Sequence, residues 1–286
     1  MPRLVLEEAT LSIPPCTDMP TPRLDSLDMT VPAVDGILLK GTLTYPKGGA
    51  GKPSPLAVLA HQYPATRDSF APLVADLLSL GWATLAFDVR GHGESVRVAT
   101  ATGVGLRVID APRGLAGQDF ADGFIGSIGK VGFANISDDI VRVAGWGASQ
   151  NFIDGTRILL CGASVGGTGV LLAAPRLSAG LAGVVTFGAA GALAHGETAP
   201  AQIRQNCVSA LAPHLLTSSL GDAFDGAANV RTWSEGTANV TPLIVPGDGH
   251  AMAIYFQVRA AVTAFARRCI KPAGKAKRAA GAKRRR

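Results

Sequence analysis

Residues 161–169, CGASVGGTG, lie between two apolar runs, RILL before them and VLLAA after them. Gly162, Ser164 and Gly166 form a G-x-S-x-G pattern where a predicted strand gives way to a predicted helix. Such a turn is so tight that the residues two before and two after the serine have almost no room for a side chain. The helix N-terminus also offers N–H groups and a partial positive charge to a developing oxyanion. The stretch therefore predicts that Ser164 is a nucleophile, with a plain turn serine as the alternative.

From residue 55 onward the chain alternates short apolar runs with stretches of helical spacing. The apolar runs predict buried strands at 55–61, 83–88, 157–161, 182–187, 214–219 and 242–246. Continuous apolar strands separated by helices are typical of a mostly parallel sheet that is covered by helices on both faces. The predicted fold class is therefore α/β, with a single domain at residues 26–270.

Three local patterns predict further elements. Asp35 and Gly36 between two β runs predict an N-terminal hairpin. Apolar residues at helical spacing predict a helix over 67–81. Ser137, which is followed by two aspartates, predicts the N-cap of a helix over 137–150.

The composition fits one large folded domain with a basic C-terminal tail. Of the 286 residues, 47% are hydrophobic and 17% are charged. The net charge of +6 comes from residues 271–286, which hold eight Lys and Arg and no acid, so that 19 basic residues face 21 acidic ones in the rest. We expect this tail to be disordered and to make weak, non-specific contacts with polyanions, or else only to keep the protein in solution. Residues 1–25 contain several prolines and are expected to form an irregular arm.

The sequence carries no sign of a cofactor, a metal site or a membrane span. Its four cysteines are scattered, which fits a reducing compartment better than a disulfide framework. The N-terminus lacks the apolar stretch of a signal peptide, and glycines interrupt the uncharged residues 177–194. No metal-ligand spacing and no phosphate-binding glycine loop occurs, so no cofactor is predicted. We expect a cytoplasmic protein, and the sequence does not indicate its oligomeric state.

A serine hydroxyl needs a base to become a nucleophile. Among five histidines we favour His250, because its Gly-rich loop VPGDGHAM joins the last predicted strand to the last predicted helix. A base in such a loop meets Ser164 above the sheet, and it follows the acid in the chain order of these sites. The acid is expected after strand 214–219, where LGDAFDG offers Asp222 and Asp225. Asp222 comes first after the strand and is preferred, and Asp225 is the alternative.

Acyl transfer also needs two N–H groups aimed at the oxyanion. The residue after the nucleophile, Val165, is expected to supply one, and the loop AHQYPATRDS after the first central strand the other.

Four landmarks in order, VLAHQYPATRDSF, FDVRGHGES, GASVG and PGDGHAM, resemble the α/β-hydrolase fold superfamily over roughly residues 30–270. With little room for a cap between the strands at 182–187 and 214–219, the chain is most similar to cap-poor esterases and dienelactone hydrolases. The resemblance implies that Tyr63 gives the second oxyanion N–H. Gln62 is the alternative, because it stands where many relatives have glycine. The resemblance also implies that His92 and Glu94 are structural.

These residues predict a serine hydrolase that cleaves a small-molecule carboxylic ester, with a thioester or lactone as alternatives, through an acyl-enzyme. An acyltransferase and a hydrolase of C–C or peptide bonds remain open, because fold does not set the reaction. A non-catalytic scaffold that works through the basic tail is the alternative from another class. Residues 95–134, for which no element is predicted, and residues 189–212 are expected to line the substrate pockets.

Overall fold

The computed structural model describes residues 23–47, 52–99, 107–108 and 117–270. Residues 1–22 of the expected arm and the whole of the expected tail at 271–286 lie outside the described residues. The domain limits at residues 26 and 270 therefore stay predictions.

Eight of the described strands form one sheet in the order β1-β2-β4-β3-β7-β8-β9-β10, and β5 and β6 form a separate ribbon. The strands are Leu24–Pro32 (β1), Leu38–Pro46 (β2), Ser54–Ala60 (β3), Ala83–Phe87 (β4), Arg97–Val98 (β5), Arg107–Val108 (β6), Ile153–Ala163 (β7), Leu181–Phe187 (β8), His214–Ser219 (β9) and Val240–Val245 (β10). β1 and β2 pair antiparallel, as does β2 with β4, and the other neighbours in this sheet are parallel. The predicted hairpin and the mostly parallel sheet are confirmed.

Seven α-helices occur within the described ranges. They are Ala71–Ser79 (α1), Gly117–Ser127 (α2), Ile136–Ala148 (α3), Val165–Ala173 (α4), Ala199–Val208 (α5), Gly226–Ser234 (α6) and Tyr255–Cys269 (α7). Short 3-10 turns precede α1, α3 and α7, and a π-helical turn, Ile128–Gly132, follows α2.

The central strands are buried on both faces. In β3, Leu56 and Val58 pack into one core with α3 and α4, whereas Ala57 and Leu59 pack into a second core with α1 and α7. Successive side chains of a strand point to opposite faces, so these two cores lie on the two sides of the sheet. The prediction of helices on both faces is confirmed.

The N-cap predicted for α3 is wrong. α3 begins at Ile136 and its N-cap is Asn135, which makes no side-chain capping bond, so Ser137 lies inside the first turn. The 3-10 turn Phe133–Asn135 runs directly into the helix, and the fully buried Ile136 anchors its start. The burial of Ile136, and not a capping bond from Ser137, therefore sets the start of α3.

Candidate active site

Ser164 lies between the last residue of β7 and the first residue of α4. Its backbone has φ 49° and ψ −119°, a strained region for a residue with a side chain. A Cβ at Gly162 would lie 2.3 Å from the carbonyl oxygen of Gly166, and one at Gly166 would lie 2.1 Å from that of Ala60. Both glycines of the pattern are thus required by the close approach of α4 to the sheet, and the predicted strand–turn–helix is present.

His250 and Asp222 follow two neighbouring parallel strands, β10 and β9, whose carboxyl ends bring the two loops together. The imidazole Nδ1 of His250 lies 2.8 and 2.9 Å from the two carboxylate oxygens of Asp222. An ionised carboxylate only accepts hydrogen bonds, so Nδ1 carries the proton and donates it. Nε2 is then left as the acceptor.

The side chain of Asp222 is completely shielded from solvent. Besides His250, it accepts a hydrogen bond from the Ser218 hydroxyl at 3.0 Å and one from the Phe224 N–H at 2.9 Å. Burial raises the pKa of Asp222, but these bonds, with that from His250 the largest, outweigh burial and hold the pKa below its ordinary value. The carboxylate is therefore ionised at neutral pH. The other candidate acid, Asp225, is exposed and serves as the left-handed N-cap residue of α6, with φ 62°.

Ser164 and His250 line one cavity of about 210 Å³. The other residues that line it are Tyr63, Ala121, Phe124, Ile125, Ala190, Gly191 and Phe224. Apart from Ser164, His250 and the Tyr63 hydroxyl, these described wall residues offer only apolar side chains. The cavity therefore suits a substrate with an apolar group next to its reacting centre.

Of the two residues expected to supply the oxyanion N–H groups, Val165 directly follows the serine in the chain and Tyr63 lines the same cavity as the serine. Val165 is the first residue of α4, where helix N–H groups have no partner within the helix. Tyr63 lines the cavity and packs edge-on against Phe124, with ring centroids 5.3 Å apart. Burial raises the pKa of the Tyr63 hydroxyl, although a hydrogen bond with Ser127 opposes the shift. Gln62 is not among the residues that line the cavity, and its carbonyl oxygen accepts a hydrogen bond from Nδ1 of His61 at 2.8 Å.

The loop after β4 is held by buried polar contacts. His61 Nε2 accepts the N–H of Val89 at 2.9 Å, and His92 Nδ1 lies 3.0 Å from the carbonyl oxygen of Arg90. Arg90 is fully buried and forms an ion pair with the buried Asp139. Glu94, further along this loop, pairs with Arg67. These contacts give His92 and Glu94 structural roles.

Several residues at the site carry no motif in the sequence. Phe124 and Ile125 come from α2, inside the stretch for which no element was predicted. Phe224 lies two residues after Asp222, and this shared loop is the one signal that could have found it. His195 lies behind the nucleophile, with Nε2 3.0 Å from the carbonyl oxygen of Val165, and burial lowers its pKa to about 4.

Within the described ranges, no group of three or more His, Cys, Asp or Glu side chains is placed to hold a metal ion. In the same part of the chain, no helix has both the length and the apolar character that crossing a membrane requires.

The fold is similar to that of solved hydrolases. A dienelactone hydrolase from Anabaena variabilis superimposes with a TM-score of 0.55 at 20% identity, covering 85% of this chain and 95% of that one. An esterase from Pyrococcus furiosus gives a TM-score of 0.57 at 14% identity, covering 87% and 92%. Est1E from Butyrivibrio proteoclasticus gives 0.58 at 17% identity, covering 85% and 98%. At these identities the likeness shows the α/β-hydrolase fold alone.

A curated relative is an uncharacterized 31.7 kDa protein in the traX-finO intergenic region of Escherichia coli, 31% identical over 143 residues. The match covers 50% of this chain and 38% of that protein, so the chain spans well under half the length of this relative. The model of the family Hydrolase_4, described as serine aminopeptidase, S33, matches residues 51–235. This match takes in more than half of the chain, together with the G-x-S-x-G turn, and the chain belongs to this family of α/β-hydrolases.

Proposed function

We propose that this protein is a serine hydrolase that cleaves carboxylic esters with a short apolar acyl group. One observation carries the proposal. Ser164, whose backbone is strained, lines the same cavity as His250. The Nδ1 atom of His250 is bound to the buried carboxylate of Asp222. A nucleophile, a base and an acid that orients the base are the parts that acyl transfer to serine requires.

The proposed reaction runs in two halves. Ser164 Oγ attacks the ester carbonyl carbon while His250 Nε2 takes its proton, and Asp222 stabilises the imidazolium that forms. The N–H groups of Val165 and Tyr63 hold the oxyanion of the tetrahedral intermediate. Its collapse expels the alcohol, which takes the proton from Nε2, and leaves an acyl-serine. Water, deprotonated by His250, then attacks the acyl-serine and frees the acid and the serine.

The cavity favours an ester over the N-terminus of a peptide. An aminopeptidase must hold a charged ammonium group, whose burial without a partner of opposite charge is costly. None of the described residues that line the cavity carries a carboxylate. The carboxylate of Asp222 does not line the cavity and is already bound to His250. The cavity, of about 210 Å³, is small and has apolar walls, which suit a short aliphatic acyl group.

The test combines a reactive probe with an ester panel. We expect a fluorophosphonate to label Ser164, as read by peptide mapping, and the label to be lost in Ser164→Ala and His250→Ala. Ser209→Ala, which changes an exposed serine after α5, serves as the matched control and keeps the label. In a panel of esters from acetyl to octanoyl we expect the highest kcat/KM between butanoyl and hexanoyl. A folded protein that takes up no label would refute the proposal, and a preference for thioesters, lactones or aminoacyl amides would redirect its substrate.

A further inference from the structure

Phe224 contacts both partners of the pair formed by Asp222 and His250. Its backbone N–H donates to Asp222 Oδ1 at 2.9 Å. Its ring centroid lies 4.4 Å from that of the His250 imidazole, with the two planes inclined by 49°. The acid is thus bound by the main chain of Phe224 and the base is packed against its side chain.

The loop that carries Phe224 is wrapped around the carboxylate of Asp222. A Cβ at Gly226 would lie 2.3 Å from Asp222 Oδ2, and Asp225 turns the chain there through a left-handed conformation. The backbone of this loop therefore fixes the position of Phe224. Phe224 is 42% exposed as a whole residue, whereas the side chain of His250 is 19% exposed and that of Asp222 is fully shielded. The ring packs on the imidazole, and Phe224 and His250 both line the cavity.

We propose that Phe224 is a positioning residue, which fixes the plane of the His250 imidazole and keeps water away from its hydrogen bond with Asp222. The inference rests on the proposed function. A charged hydrogen bond is stronger where the local dielectric constant is low, and the exclusion of water lowers that dielectric constant. A ring against the imidazole also stabilises the imidazolium that forms when Ser164 is deprotonated.

The experiment compares variants of Phe224 with the small acetyl ester, whose acyl group makes little contact with the cavity walls. We expect Phe224→Ala to lower kcat about tenfold, as the loss of an aromatic pair predicts, with a smaller change in KM. Phe224→Tyr keeps the ring and should restore kcat to within about twofold, because the same face covers the imidazole. Phe256→Ala is the matched control, since Phe256 is also an exposed phenylalanine, lies on α7 and does not line the cavity. It should leave kcat unchanged.

A second readout separates positioning from general stability. The proton on His250 Nδ1 gives a downfield NMR resonance only while its exchange with water is slow. This resonance should broaden in Phe224→Ala and persist in Phe224→Tyr, in Phe256→Ala and in the wall variant Ile125→Ala, which changes KM instead. Unchanged kcat and an unchanged resonance in Phe224→Ala, with an active wild type, would overturn this inference alone. A wild type that neither takes up the fluorophosphonate nor cleaves any ester would overturn the proposed function and this inference with it.

Discussion

His250 and Asp222 are joined by one imidazole N–H that faces both carboxylate oxygens, at 2.8 and 2.9 Å. Asparagine at 222 would present an amide to Nδ1 and remove the charge that stabilises the imidazolium. We expect Asp222→Asn to lower kcat for a butanoyl ester by roughly three to four orders of magnitude. Asp225→Asn, three residues along the same loop, should change kcat by less than about twofold, because exposed polar changes have small effects. The reverse result in initial-rate measurements would transfer the acid role to Asp225.

Gly166 and Gly145 are both helical glycines, but only Gly166 is required by close packing at the turn. Replacing each by alanine therefore distinguishes the effect of that packing from the effect of helix propensity. Because a Cβ there would lie 2.1 Å from the carbonyl oxygen of Ala60, Gly166→Ala should lower the free energy of unfolding by about 3 kcal/mol or more. Gly145 on α3 is exposed and has open space where a Cβ would stand. Gly145→Ala should therefore raise the free energy of unfolding by about 0.5–1 kcal/mol. Urea unfolding of both variants tests the pair, and equal losses would contradict this account of the turn.

Phe124 should limit the length of the acyl group. Its ring closes part of the cavity against Tyr63, so Phe124→Ala opens space for several further carbon atoms. We expect kcat/KM for the octanoyl ester, relative to the butanoyl ester, to rise at least about tenfold, because burying only two further methylene groups at roughly 0.8 kcal/mol each already supplies about 1.6 kcal/mol. Phe256→Ala should leave this ratio unchanged. An unaltered chain-length profile in Phe124→Ala would place the acyl group elsewhere.

His195 should make the protein less stable in acid. Its pKa is lowered by burial from 6.5 to about 4, so between these pH values the unfolded chain binds a proton that the folded chain does not. Folding stability due to this group therefore falls as the pH falls through that window, by roughly 3 kcal/mol in total. His195→Gln should remove this loss, as measured by urea unfolding at pH 7 and pH 4.5.

The wild type has to be compared with His195→Gln because protonation of Asp139 changes the folding stability in the opposite direction. Burial raises the pKa of Asp139 from 3.8 to about 6, against the pull of its hydrogen bonds and charge interaction with Arg90. The folded state then binds the extra proton, and stability due to Asp139 rises as the pH falls through that range. The difference between the wild type and His195→Gln isolates the histidine. Parallel pH curves for the two proteins would contradict its assigned protonation.

Removing residues 271–286 distinguishes an enzyme from a scaffold that works through its tail. Ser164, Asp222 and His250 all precede the deletion, so we expect kcat and KM for esters to stay unchanged. Binding to heparin or nucleic acid at low salt should disappear with the eight basic residues, because that attraction is electrostatic. Loss of ester turnover on deletion would instead connect the tail to the site.

Local chemistry explains what the sequence could predict. β9 occupies the predicted residues, and the Gly-rich turns led to the two loops that Ser164 and His250 occupy, because a turn of this kind depends on residues close in sequence. α2 could not be predicted, since glycines at 117, 123 and 126 weaken its helical signal. Phe124 packs instead against Tyr63 and Phe133, residues far away in sequence or beyond the next turn. The two stretches expected to line the pockets do supply walls of the cavity, Ala121, Phe124 and Ile125 from 95–134 and Ala190 and Gly191 from 189–212. Which residues of each stretch face the cavity depends on contacts that are distant in sequence, and the sequence alone did not specify them.

The position of β10 ties the proposed catalyst to an edge of the sheet. In the described structure β10 pairs with β9 alone, and Thr241 and Pro242 are exposed. Edge strands with few buried contacts open at lower free energy than central strands. Fraying of β10 would carry His250 away from Ser164 while the other strands stay paired. Ester turnover should then vanish in mild denaturant before the sheet melts, and a refolding chain should be compact before it is active.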